Sequence, residues 1–247
     1  MGSDEDHGGQ RKTPMRKYEK IRAPFFELGP KNYMYGDDVL ELALAADRAS
    51  EKYDVDVIFT APYADIRLVD AKTKNLHVFA PHMDLEPIGR GLANVLPESI
   101  KAAGAQGVML NHVEKPLLYS RLEQTILRAR ELGLYTIVCA DTCNEAKAVA
   151  LLGPDMIVAE SADMIETDNG ADSKYISEAC EAIRSVNQDI MVLVAAGIRS
   201  GKDVYDVIIQ GCDASGTSSG VALAENPTAM IDEMIAAVRE AWDALHK

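Results

Sequence analysis

Along this chain, short apolar runs rich in β-branched and aromatic residues alternate with longer stretches whose apolar positions recur every three to four residues. The short runs are Ala23–Leu28, Val55–Thr60, Leu76–Ala80, Gly107–Asn111, Tyr135–Ala140, Met156–Ala159, Met191–Ala195 and Ala214–Ser218. Several, such as Tyr135-Thr-Ile-Val-Cys-Ala140, are apolar almost throughout, as strands covered on both faces are. In the first long stretch Val39, Leu42, Ala43, Ala46 and Ala49 share one helical face, with Asp37, Glu41 and Asp47 elsewhere on the surface. Further helices are predicted over Ser120–Leu132, Glu145–Leu152, Ser173–Val186, Lys202–Gln210 and Pro227–His246. The second and third connections carry a weaker helical pattern. Gly133 and Gly211 stand where helices are expected to stop.

Strand–helix alternation demands a parallel sheet with right-handed crossovers. Eight such units favour closure into a single-domain α/β fold, a (β/α)8 TIM barrel, over residues 21–247. The competing open, doubly wound sheet lacks a GxGxxG turn after the first strand. Residues 1–20 are polar, Gly-rich and mixed in charge, with no apolar stretch of signal-peptide type, and are expected to form a flexible N-terminal extension.

Composition narrows the partners. The net charge of -14 over 247 residues argues against nucleic acid and anionic membrane, and an anionic ligand needs a local positive pocket. No apolar run is long enough to span a bilayer. Cys139, Cys143, Cys180 and Cys212 form no CxxC pair and have no His at zinc-ligand spacing, so they read as reduced thiols of a cytoplasmic protein.

In such a barrel the active site lies at the C-terminal ends of the strands, so the polar residues there are the candidates. Lys31, in Glu27-Leu-Gly-Pro-Lys31, can reach over the mouth to an anion; a solvated surface lysine is the plainer reading of it alone. His112 and Glu114 follow the apolar run Gly107-Val-Met-Leu110 closely. A neutral imidazole there can donate to a carbonyl or hydroxyl and move protons between adjacent oxygens, or it can be hydrogen-bonded for structure. Glu160 follows four apolar residues, a placement that makes it a candidate base with a raised pKa, or one half of an ion pair with a neighbouring lysine. The small residues of Ala195-Ala-Gly-Ile-Arg-Ser200 and Ser218-Ser-Gly-Val221 leave backbone N–H groups open to a phosphate. Together, a cation, an imidazole, a carboxylate and a phosphate cradle are what proton abstraction beside a carbonyl requires. The set needs no metal and no cofactor. His82 and Asp84, at the third strand end, are two residues and do not make a metal site.

Seven segments carry a family likeness: Phe79-Ala-Pro-His-Met-Asp84, Leu96-Pro-Glu-Ser-Ile-Lys-Ala-Ala-Gly-Ala105, Asn111-His-Val-Glu114, Thr136-Ile-Val-Cys139, Val158-Ala-Glu160, Ala196-Gly-Ile198 and Ser219-Gly-Val221. Together they resemble the triosephosphate isomerase family, in its shorter archaeal-type branch, over almost the whole chain from about Phe25 onward. The resemblance implies Glu160 as base, His112 as electrophile, Glu114 as its supporting carboxylate and Lys31 as the catalytic lysine. It implies a phosphate and substrate pocket drawn from Gly29, Thr167, Gly170, Ala196, Gly197, Ser219 and Gly220. It also implies a homodimer or homotetramer.

The chain departs from the family around these residues. Gly29 stands where the family has Asn, Val113 where it has Ser, and Gly89-Arg-Gly-Leu-Ala93 lacks the Thr-Gly of the family's interface loop. The lid after the base, Glu160-Ser-Ala-Asp-Met-Ile-Glu-Thr-Asp-Asn-Gly170, is one residue longer, lacks the hinge prolines and carries Glu166-Thr-Asp168 in place of Gly-Thr-Gly. The expected function is therefore an aldose–ketose isomerase working through an enediolate. Its substrate is either the glyceraldehyde 3-phosphate/dihydroxyacetone phosphate pair or a four-carbon analogue such as an erythrulose phosphate, for which Gly29 leaves room. A non-catalytic sugar-phosphate-binding barrel is the alternative. An aldolase would want a Schiff-base lysine inside the barrel, and none of the eight runs contains one.

Overall fold

A computed structural model describes residues 20–160 and 173–247. In chain order the elements are β1 (Phe25–Leu28), α1 (Asp37–Tyr53), β2 (Asp56–Thr60), α2 (Ile66–Lys72), β3 (Leu76–Ala80), α3 (Pro97–Ala103), β4 (Gly107–Leu110) and α4 (Tyr119–Glu131). The second half adds β5 (Tyr135–Ala140), α5 (Cys143–Ala150), β6 (Met156–Ala159), α6 (Ser173–Arg184), β7 (Met191–Val194), α7 (Gly201–Ile208), β8 (Ala214–Thr217), α8 (Ser219–Ala222) and α9 (Pro227–Leu245). Each strand pairs in parallel with the next, and β8 pairs with β1, so the eight-stranded sheet closes. The predicted barrel is the observed fold.

The small differences have local causes. Asn111 takes a left-handed backbone (φ 58°), which turns the chain off the ladder one residue earlier than its apolar neighbours suggest. The two weakly patterned connections are short helices of two turns, α2 and α3, too short to repeat an apolar stripe. Gly133 (φ 65°) and Gly211 (φ 92°) do follow helices α4 and α7 in the left-handed conformation.

Alternation along the strands builds two cores. Phe25, Ile58, Phe79, Ile137, Met156, Val158, Leu193 and Ala214 fill the barrel interior. Phe26, Leu28, Val57, Phe59, Val78, Val138, Ile157 and Val192 face the helices. At the N-terminal end of the barrel, Arg22 donates to Asp56 at 2.8 Å, Asp56 lies 3.6 Å from His77 Nε2, and His77 Nδ1 pairs with Gln106 at 2.9 Å. Burial disfavours the Asp56 charge, but hydrogen bonds from His77 and Arg22 outweigh it and hold the carboxyl at about 2. This network occupies the floor opposite the strand ends where the chemistry was expected. Among the described residues no helix is long and apolar enough to cross a membrane.

Candidate active site

A cavity of about 520 Å³ opens at the C-terminal ends of the strands. Lys31, His112, Glu114 and Glu160, which stand in the loops after β1, β4 and β6, all border it.

Lys31 sits in the turn after β1 with a positive φ of 48°, a conformation an L residue adopts at some cost. Its Nζ is 3.0 Å from Glu114 Oε1. The ion pair reaches across the mouth and joins the loop of β1 to that of β4.

His112 is set by its own loop. Asn111 ties this loop to β5: its Nδ2 donates to Cys139 O (3.0 Å) and Glu145 Oε1 (3.2 Å), and its Oδ1 accepts from Leu117 N (3.0 Å). Lys115 N donates to His112 O at 2.7 Å and closes the turn. The backbone N–H of Glu114 donates to His112 Nδ1 at 3.1 Å. That nitrogen must carry a lone pair, so in the neutral ring the proton is on Nε2. Burial lowers the His112 pKa below 6.5, and the positive charge of Lys31 lowers it further, against the opposing charge of Glu114. The ring is a neutral N–H donor at neutral pH. Glu114 therefore serves His112 through its backbone, while its carboxylate holds Lys31.

Glu160 follows β6, and its N–H donates to Ala140 O at 3.0 Å, extending the ladder one step past the strand end. Burial raises its carboxyl pKa above 4.5; Lys31 opposes the rise and Glu114 adds to it. No ion pair joins Glu160 to a lysine among the described residues, whereas Lys31 is committed to Glu114.

The segments after β7 and β8 supply Gly197 and Ser219 to the cavity wall, and Gly29, beside Thr60 and Ser218, borders it too. Ala196 and Gly220 do not border the cavity. Ala196 is buried, and a Cβ at Gly220 would stand 2.3 Å from Ile198 O, so Gly220 lets the two loops touch. Thr167 and Gly170 lie outside the described residues. His82 Nε2 is 3.3 Å from Asp84 Oδ1, and Asp84 accepts from Val95 N, a local bonding pattern at the end of β3.

Several bordering residues had not been singled out from sequence: Glu27, Thr60, Tyr63, Lys115 and Arg199. Lys115 and Arg199 join Lys31 as the cavity's cations, against the acids Glu27, Asp84, Glu114 and Glu160. Glu27 carried a signal, a carboxylate inside an otherwise apolar strand, FFEL.

The model of the triosephosphate isomerase family matches residues 31–234. The chain is 33% identical to the triosephosphate isomerase of Methanocaldococcus jannaschii over 207 residues, covering 83% of this chain and 94% of that one. It is 31% identical to the Methanothermus fervidus enzyme of that name over 217 residues (86% and 97% covered). For the Saccharolobus solfataricus enzyme the figures are 30% over 220 residues (87% and 96%). With a closed eight-stranded barrel, a cavity at its strand ends and a match over most of its length, this chain belongs to the triosephosphate isomerase family.

Proposed function

We propose that the protein interconverts a short ketose phosphate and its isomer through an enediolate, with Glu160 as the base. What supports this reading above all is the convergence of Lys31, His112 and Glu160, from three separate loops, on one cavity. The Glu160 carboxylate removes the proton from the carbon beside the carbonyl, and the electron pair moves into the new C=C bond and onto the carbonyl oxygen. His112 Nε2–H and Lys31 face that developing charge. Return of the proton to the neighbouring carbon completes the exchange, so no oxidant or reductant is consumed. The phosphate rests on the loops carrying Gly197 and Ser219, with Arg199 beside them.

The substrate is either the triose phosphate pair, as the names of the relatives suggest, or a four-carbon ketose phosphate, for which the bare backbone at Gly29 leaves room. NMR turnover of dihydroxyacetone phosphate and of D- and L-erythrulose phosphates, followed in deuterated water, tests the reading. Glu160→Gln is expected to lower kcat/KM by about 10²–10⁴-fold and to remove deuterium incorporation beside the carbonyl. Undiminished turnover in that variant would sink the mechanism. Tight binding of these phosphates without any turnover would favour the binding-barrel alternative, which the acidic Glu166-Thr-Asp168 of the lid sequence motivates.

A further inference from the structure

The proton transfers above make no use of Glu27, yet among the described residues it is the most deeply buried carboxyl on the cavity wall. Its strand alternates: Phe25 and Glu27 point into the barrel, and Phe26 and Leu28 point toward the helices. Glu27 is 4% exposed. Thr60 Oγ1 donates to its Oε1 at 2.5 Å, and among the described residues its Oε2 has no hydrogen-bond partner. A buried carboxyl with spare bonding capacity is costly unless something fills that capacity.

The fold keeps two positions beside it bare. A Cβ at Gly29 would lie 3.3 Å from Glu27 Oε1, and one at Gly216 would lie 3.2 Å from Oε2 and 2.7 Å from Glu27 O. Glu27 and Thr60 both border the cavity. Burial, with the nearby charge of Glu160, raises the Glu27 pKa to about 7, against the opposing effects of Thr60 and Lys31. Near neutral pH the carboxyl can therefore either donate to a hydroxyl or accept from one.

Position decides which hydroxyl. Lys31, His112 and Glu160 stand beyond the strand ends, whereas Glu27 and Thr60 lie within strands, one layer deeper. A triose phosphate whose phosphate and two remaining oxygens met the upper groups would have no further hydroxyl to offer.

We propose that Glu27, oriented by Thr60, is a specificity-determining residue that hydrogen-bonds a hydroxyl on the substrate end remote from the phosphate. It selects a ketose phosphate one hydroxymethyl longer than a triose. This inference rests on the isomerase reading, and it names the substrate class of that same site. If Glu27 instead only tuned the base or held the strand, its loss would slow every substrate alike.

The test is the ratio of kcat/KM for the better erythrulose phosphate to that for dihydroxyacetone phosphate. Wild-type protein is compared with Glu27→Met, Glu27→Gln and Thr60→Val. The ratio is expected to fall at least tenfold in Glu27→Met and to recover in part in Glu27→Gln, whose amide still bonds a hydroxyl. If Glu27→Met does not fold, Thr60→Val carries the test, with an expected fall of at least threefold. An unchanged ratio, or wild-type turnover of the triose alone, overturns the role of Glu27 and leaves the isomerase standing. Absence of turnover on both substrates overturns the isomerase reading itself.

Discussion

His112 can be read directly, because its proton is placed by a single backbone contact. With Glu114 N–H on Nδ1 and burial holding the ring neutral, ¹⁵N spectra at pH 7 are expected to show a neutral imidazole protonated at Nε2. An imidazolium signal there would contradict the assignment. Glu160 gives a second reading at this scale. The proposed mechanism requires its base form, and its pKa is raised, so the acid limb of kcat/KM is expected to lie above the ordinary carboxylate value of 4.5. Glu27 gives a third, in stability. In the folded protein it keeps its proton up to about pH 7, while the unfolded chain loses it near 4.5. The folded state then binds more protons across that window, so this group costs nothing below pH 4.5. Its cost grows as pH rises, to about 3 kcal/mol above pH 7. Glu27→Gln is expected to raise the melting temperature at pH 8 more than at pH 5. An equal shift at both would mean that Glu27 is ionised without penalty. Lys31, His112 and Glu160 shared a simple mark in the sequence: each was a polar residue closely following an apolar run. Glu27 escaped because it lies inside such a run, where only the closed barrel shows that its side faces a cavity.

Elements were legible where they are long or wholly apolar. The β5 and β6 runs matched their strands end to end, because burial on both faces leaves no charged residue to blur the limits. Helices α2 and α3 were faint because two turns expose too few positions for a periodic stripe. The small residues after β7 and β8 were legible as a group but not one by one. Gly197 and Ser219 border the cavity, while Gly220 is small so that two loops can meet. Gly220→Ala must push the new methyl against Ile198 O and Thr217 Oγ1. It is expected to cost about 1–3 kcal/mol in urea unfolding. A loss below about 0.5 kcal/mol would show that the loops yield freely.

At the scale of the molecule, charge and topology set different limits. The sequence demanded a positive pocket within a chain of net charge -14. Among the described residues the cavity wall has three cations, Lys31, Lys115 and Arg199, and four acids, Glu27, Asp84, Glu114 and Glu160. A phosphorylated substrate therefore approaches a negative body without a strongly positive mouth. Raising ionic strength from about 0.01 to 0.1 M shortens the screening length from about 30 to 10 Å. kcat/KM is expected to rise over that range, whereas a fall would mean that the local cations govern the approach.

The pairing of β8 with β1 has a consequence for how the working molecule comes into being. Along the chain Lys31 comes first, His112 and Glu160 later, and the segment with Ser219 after all three. A chain cut before residue 214 would keep Lys31, His112 and Glu160 but would have no strand to close the ring. The wall of the cavity that Lys31, His112 and Glu160 share is therefore complete only once β8 stands beside β1. Closure of the ring thus ties the loops carrying these side chains to a contact between the first and the eighth strand.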